Sequence, residues 1–316
     1  MSGNHYFGRN LDLEHSYIEQ VCITPRRYPF QFQKMPKIDR HYALIGMAAV
    51  VDEYPLYFDA TNEHGLSMAG LNFPGNAVYL PPKGDCDNIA PFEFIPWILA
   101  QCKTVSQALD KLKRLNMTAI AFSNDLPLSP LHWIICDKCR SIVIEPMAGG
   151  IKIHDNPVGV LTNNPPFDYH MHNLCNYLNL TAEEPGNRFS DKITLNPYSR
   201  GMGGIGLPGD LSSSSRFVRA VFTKLNAVSD SSETQDIGQF FHILGSVAQQ
   251  RGCVKIEDGY ERTIYTSCCN TDKGIYYYNT YDIRQITAVN LFHENLDLSE
   301  LRLFPLITEQ QIRFEN

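Results

Sequence analysis

The stretch 263–291, TIYTSCCNTDKGIYYYNTYDIRQITAVNL, constrains the fold most. It is dense in aromatic and β-branched residues, which fit a pleated, half-buried surface, and it predicts a β-meander. Two earlier runs read the same way. HYALIGMAAVVDEY and YFDATNEHGLSMAGLNF are apolar and β-rich, the second broken by the turn Asn62-Glu63-His64-Gly65, so neighbouring antiparallel strands are expected. LHWIICDKCRSIVIEP reads as a hairpin with Asp137-Lys138 at its tip, and GIKIHDN and VGVLTN as further strands.

Helical periodicity appears between the strand-rich ends. It runs from Pro91 to Asn116, with Thr104 as an N-cap before VSQALDKLKRLN. Two more helices are predicted at SSRFVRAVFTKLNAV and DIGQFFHILGSVAQQ, separated by a polar stretch around 229–236. The architecture that accommodates these elements is α+β, two antiparallel sheets flanked by helices, in one domain over residues 1–316. At 316 residues and 43% hydrophobic the chain can bury a core of that size.

Charge narrows the partners. With 27 basic against 34 acidic residues the net charge is −7, which disfavours nucleic acid or an anionic membrane. No apolar run approaches the roughly 18 residues of a membrane span, and the start lacks a signal-peptide pattern, so a soluble cytoplasmic protein is expected. The odd count of nine cysteines suits reduced thiols better than a disulfide framework.

Most motif matches have an ordinary explanation. GMGGIG at 201–206 has dinucleotide spacing but lacks a preceding strand and a following helix, so it reads as a surface loop. Cys136 and Cys139 form a single C-x-x-C without a second pair, and of Cys268-Cys269 at most one could face such a site. His170 and His172 lie on different faces of a predicted helix, with capping or surface roles. No metal or cofactor is expected. There is no G-x-S-x-G elbow, H-E-x-x-H helix or phosphate loop.

What remains is a set of polar residues in strand or strand-end contexts: Arg9 and Asp12 in FGRNLD, Asn72 in AGLNF, Asn163 in VLTNNP and Arg216 in SRFVRAVF. Such groups need partners when buried. One reading makes Arg9 and Asp12 an internal ion pair and the asparagines caps of strand ends. The other makes all five a site.

These stretches resemble the choloylglycine hydrolase family, which contains bile salt hydrolases and penicillin V acylases. The resemblance is carried by YFGRNLDLEHSY, ITPRRYPF, YALIGM, NEHGLSMAGLNFP, GVLTNNPPFDYH, GIGLPGDLSSSSRFVRA and YTSCCNTDKGIYYYNTY, in order over nearly the whole chain. It implies a four-layer αββα sandwich of the N-terminal-nucleophile type. It also implies an N-terminal cysteine whose thiol attacks the amide carbonyl while its own α-amino group takes the proton. An α-amino pKa of about 7.7–8.0 suits that role near neutral pH.

Carried over by motif, Arg9 would favour the thiolate and Asp12 orient the α-amino group. Asn72 and Asn163 would donate to the oxyanion, and Arg216 would support this polar network. Asn72, where penicillin V acylases tend to carry tyrosine, points to glycine- or taurine-conjugated bile acids as substrates. YPFQFQKMP, NFPGNAVYLPP and PPFDYH are expected to wall an apolar pocket. The resemblance further suggests a homotetramer.

The nucleophile departs from the pattern. Position 2 is Ser2, within a turn Ser2-Gly3-Asn4 that leads into a strand from His5 to Leu13. It lies seven residues before Arg9, a span of about 23 Å at roughly 3.3 Å per residue, so it is not expected to act. Cys22 is interior and has no free amine. A first strand bearing the cysteine is therefore expected ahead of the turn, and the chain without it is expected to be inactive.

Overall fold

The computed structural model describes residues 3–230, 232–257 and 259–316. In chain order the strands begin with β1 (Tyr6–Phe7), β2 (Asn10–Leu13), β3 (Gln20–Thr24), β4 (Leu44–Val51), β5 (Tyr54–Asn62), β6 (Ser67–Asn72) and β7 (Asp87–Ile89). Helices α1 (Phe94–Leu99) and α2 (Val105–Leu112) follow, then β8 (Leu115–Met117), β9 (Leu131–Cys136), β10 (Ser141–Met147) and β11 (Gly150–Asp155). Helices α3 (Phe167–Asn173), α4 (Ser213–Asn226) and α5 (Glu233–Gly245) precede β12 (Val254–Ile256), β13 (Gly259–Asn270), β14 (Ile275–Thr280), β15 (Thr287–Asn290) and β16 (Arg302–Pro305).

Two antiparallel sheets result. The larger runs β11-β10-β9-β6-β5-β4-β3-β16; the smaller runs β13-β14-β15, with β1, β2 and β12 all pairing with β13. Residue alternation shows how they stack. In β4, Leu44 and Ala48 face a cluster with Trp97, Ile98, Ala108 and Leu112 from α1 and α2, while Ile45 and Met47 face Tyr265, Cys269 and Tyr276 of the smaller sheet. Both faces of β4 are thus covered, which explains its near-continuous apolar run. Helix α5 packs on β13 from the opposite side, so the layers are helix, sheet, sheet, helix as expected.

Local chemistry fixes the helix ends. Thr104 Oγ1 accepts from Gln107 N at 3.3 Å, the predicted cap, and Val105, Ala108 and Leu112 are buried at helical spacing. Ser212 and Ser232 cap α4 and α5 the same way. The turn Asn62–Gly65 is stabilised by Asn62 Oδ1, which accepts from His64 N at 3.0 Å and Leu66 N at 3.2 Å.

Three expectations are corrected. The helical reading to Asn116 ends at Leu112, and Leu115–Met117 is a strand paired in parallel with β7. VGVLTN is a loop, because its polar backbone groups find side-chain partners instead of a ladder. The strand from His5 to Leu13 breaks at Gly8-Arg9, where a Cβ on Gly8 would stand 2.0 Å from Ser267 O. Of the expected turn before it, Ser2 lies outside the described residues, and Gly3 has φ +85°, the left-handed conformation that glycine favours.

Candidate active site

The break between β1 and β2 turns Arg9 out of the ladder. Its Nη1 donates to Phe58 O at 3.0 Å and Gly70 O at 2.5 Å, and its Nε to Asn10 O at 3.1 Å. Three carbonyls therefore hold one guanidinium. Beneath it lies Asp59, 1% exposed, which accepts from Tyr265 OH at 2.6 Å and Tyr276 OH at 2.7 Å. Burial pushes the Asp59 carboxyl up, and the Arg9 charge and these hydroxyls oppose the shift. Nothing in the sequence marked Asp59, since an aspartate inside a nine-residue strand reads as a solvent-facing alternation.

Two residues beyond Asn10, Asp12 Oδ1 accepts from Thr263 Oγ1 at 2.6 Å, and Oδ2 lies 3.5 Å from Arg216 Nη1 and 3.4 Å from Gln249 Nε2. Burial raises its carboxyl pKa, with Arg216 the first of the opposing influences. The alternative of an Arg9–Asp12 ion pair is not what forms: Arg9 binds carbonyls and Asp12 pairs with Arg216.

Arg216, on the first turns of α4, also donates through Nη2 to Asn163 Oδ1 at 2.8 Å and through Nε to Leu211 O at 3.0 Å. Asn163 Nδ2 donates in turn to Asn72 O at 2.9 Å, at the end of β6. Asp12, Arg216, Asn163 and Asn72 thus form one chain of contacts spanning both sheets and α4, and all four line the same cavity as Arg9. The five predicted residues converge. One amide hydrogen of Asn163 is committed to the Asn72 carbonyl; its second hydrogen and the Asn72 side-chain amide have no hydrogen-bond partner among the described residues.

The cavity, about 1620 Å³, is also lined by Tyr17, Phe58, Phe92, Phe122, Leu126 and Leu128. Of the expected walls, NFPGNAVYLPP contributes Asn72 and Pro74, and the other two segments are corrected. Residues 28–36 do not reach it, and Phe30, Phe73 and Phe167 are buried in packing clusters or core. The loop 120–130 supplies the rest, an irregular segment whose composition carries no periodic signal. His170 is also corrected: it is buried, not at the surface, stacks on Phe217 at 4.7 Å and bonds Asn163 O through Nε2 at 2.9 Å, whereas His172 is exposed.

The remaining motifs lie elsewhere. All nine cysteines are free thiols. Cys22 faces the α1–α2 layer, its thiol pushed up to about 12 by burial. Cys136 is buried, also pushed up to about 12. GMGGIG holds only a short 3-10 turn at Met202–Gly204, with no strand before it.

Two helix-covered antiparallel sheets with a partly buried polar chain lining a cavity match the hydrolase sandwich of the N-terminal-nucleophile type. The chain belongs to the linear amide C-N hydrolases, choloylglycine hydrolase family, which it matches over residues 1–304. It is 58% identical over 311 residues to a bile salt hydrolase/transferase of Lactiplantibacillus plantarum, covering 98% of this chain and 96% of the relative. A bile salt hydrolase/transferase of Clostridium perfringens is 38% identical over 309 residues, covering 96% and 93%. The crystal structure of a single-residue variant of a conjugated bile acid hydrolase from Clostridium perfringens superposes with a TM-score of 0.92 at 36% identity, covering 99% of this chain and 97% of that one. A penicillin V acylase from Agrobacterium tumefaciens, 18% identical with a TM-score of 0.72 over 96% of this chain and 88% of its own, shares the fold.

Proposed function

We propose that this protein hydrolyses the amide bond of glycine- or taurine-conjugated bile acids. The observation that carries the reading is the Asp12–Arg216–Asn163–Asn72 chain at the edge of a large apolar cavity. A steroid body needs apolar walls and few polar anchors, and a scissile amide needs donors aimed at its oxygen. High identity to relatives named as bile salt hydrolases supports the same substrate class.

In this reading the nucleophile is the thiol of an N-terminal cysteine held beside Arg9 and Asp12. Arg9, fixed by three carbonyls, favours the thiolate. Asp12 takes a hydrogen bond from the cysteine's own α-amino group, which carries the proton from thiol to leaving amine. Asn72 and Asn163 donate to the oxyanion of the tetrahedral intermediate, and Arg216 holds Asn163 and Asp12 in mutual register. Water then releases the bile acid from the thioester.

None of the nine cysteines in the sequence is terminal. The proposal therefore expects no amidase activity from the 316 residues by themselves, and activity once a methionine–cysteine strand precedes them. Tyr6–Phe7 of β1 and Asn10–Leu13 of β2 line the cavity, and both strands pair with β13. Incubating both forms with glycocholate, taurocholate and penicillin V, with release of glycine or taurine as the readout, tests it. Turnover by the shorter form sinks the mechanism, and preference for penicillin V sinks the substrate. A homotetramer rests on the family resemblance alone, and a single domain and a cytoplasmic location rest on the sequence pattern; sedimentation equilibrium tests the tetramer.

A further inference from the structure

Below the loop that carries Asn163 lies a buried polar cluster that the mechanism does not use. Glu145 on β10 and His132 on β9 are both fully buried, in neighbouring strands of the larger sheet. Glu145 Oε1 accepts from Phe167 N at 2.9 Å and lies 3.3 Å from His132 Nδ1; its Oε2 lies 3.3 Å from His154 Nε2. His132 Nε2 is 2.8 Å from Thr162 O. A carbonyl only accepts, so Nε2 carries the hydrogen. The His132 ring is held flat against Phe73, centroids 4.2 Å apart and planes 5° from parallel, which leaves it one orientation.

A second imidazole acts on the next residue. His170 Nε2 donates to Asn163 O at 2.9 Å, its ring held against Phe217. Asn163 N completes the set by donating to Ser213 Oγ at 2.8 Å, while Ser213 Oγ donates to Thr162 Oγ1 at 3.0 Å. The two consecutive carbonyls and the amide between them are therefore each tied to a different element: β9, α3 and α4. A loop has no ladder to hold it, yet these three bonds fix the backbone from which the Asn163 side chain reaches Arg216 and Asn72 O.

We propose that His132, oriented by Glu145, and His170 are positioning residues that clamp the Thr162–Asn163 backbone and so set the aim of the Asn163 side chain into the cavity. This rests on the reading of Asn163 as a site residue, and the test below needs no turnover. Failure to hydrolyse bile salts would leave it standing, and failure of the clamp would leave the hydrolase reading standing.

The test is hydrogen exchange and nitrogen NMR on the full chain. In the unsubstituted protein the Nε2 hydrogens of His132 and His170 are expected as slowly exchanging resonances with close contacts to residues 162–164; rapid averaging of either would overturn the clamp. His132→Phe keeps the ring stack and removes the donor. It is expected to shift the Asn163 side-chain amide pair and to speed exchange of the Asn163 backbone amide by at least about tenfold, while Tyr265 and Cys269 in β13 keep their protection. His132→Gln, which restores an N–H donor, is expected to return Asn163 to within about threefold. An unchanged Asn163 in His132→Phe, equal loss at β13, or no rescue by glutamine would each overturn the proposal. Should His132→Phe fail to fold, the two imidazole resonances decide alone.

Discussion

Arg216 Nη2 sits 2.8 Å from Asn163 Oδ1, while Nη1 of the same guanidinium sits 3.5 Å from Asp12 Oδ2. One side chain thus ties the loop after β11 to the edge strand of the other sheet. The Arg216 and Asp12 side chains are only 11% and 10% exposed, so neither charge is well solvated without the other. Arg216→Leu strands a buried carboxylate and is expected to lower stability by about 3 kcal/mol in urea unfolding. Arg216→Lys should recover less than half of that. A single ammonium cannot reach Asp12, Asn163 and Leu211 O together.

Gly8 lies where the strand breaks, and its backbone touches Ser267 of β13. An added methyl would meet backbone atoms, not a flexible side chain, so the strands must separate locally. Gly8→Ala is expected to cost about 3 kcal/mol and to displace Arg9 from Phe58 O and Gly70 O. Urea unfolding measures the first. Loss of bile-salt binding, read by calorimetry at a temperature where the variant remains folded, measures the second.

Much of this was legible in the sequence, and the failures have a common cause. Thr104, the Asn62–Gly65 turn and the Cys136–Ser141 hairpin were readable because each depends on neighbours within a few residues. The five polar residues that line one cavity stand in motifs that the sequence displays. VGVLTN was misread because its β-rich composition competes with partners from β9, α3 and α4 that no local pattern reveals. His170 was misplaced for the same reason: its burial depends on Phe217, far along the chain. The cavity wall at 120–130 has no repeat to read at all.

His170 also predicts a pH dependence. Burial lowers its pKa below the ordinary 6.5, and the buried Nδ1 has no hydrogen-bond partner among the described residues. Because the folded pKa lies below the unfolded one, its contribution is present above about pH 6.5 and is lost as pH falls toward the folded value. His5, His41 and His64 are lowered by burial as well and act in the same direction. Stability is therefore expected to fall between about pH 7.5 and about pH 5.5, each histidine adding at most about 1.4 kcal/mol per pH unit. His170→Gln should flatten that slope by one histidine's share. An equal slope in both proteins would contradict the assignment.

Phe122 provides the sharpest test of what the cavity holds. It packs edge-on against Phe92 at 5.3 Å and meets Tyr54 at 5.8 Å, so the ring belongs to an aromatic cluster that lines the cavity. A ligand with a steroid body would bury part of this ring, and truncation to alanine removes that surface. At about 25 cal/mol per Å², losing several tens of Å² of contact weakens binding by about 1–2 kcal/mol, roughly tenfold in Kd. Phe122→Ala is expected to weaken glycocholate and taurocholate equally, because the wall would meet the steroid and not the amino acid. Calorimetry of each bile salt with the two proteins measures this. An unchanged Kd would place the steroid elsewhere in the cavity, and a loss confined to one conjugate would place the glycine or taurine, instead of the ring system, against Phe122.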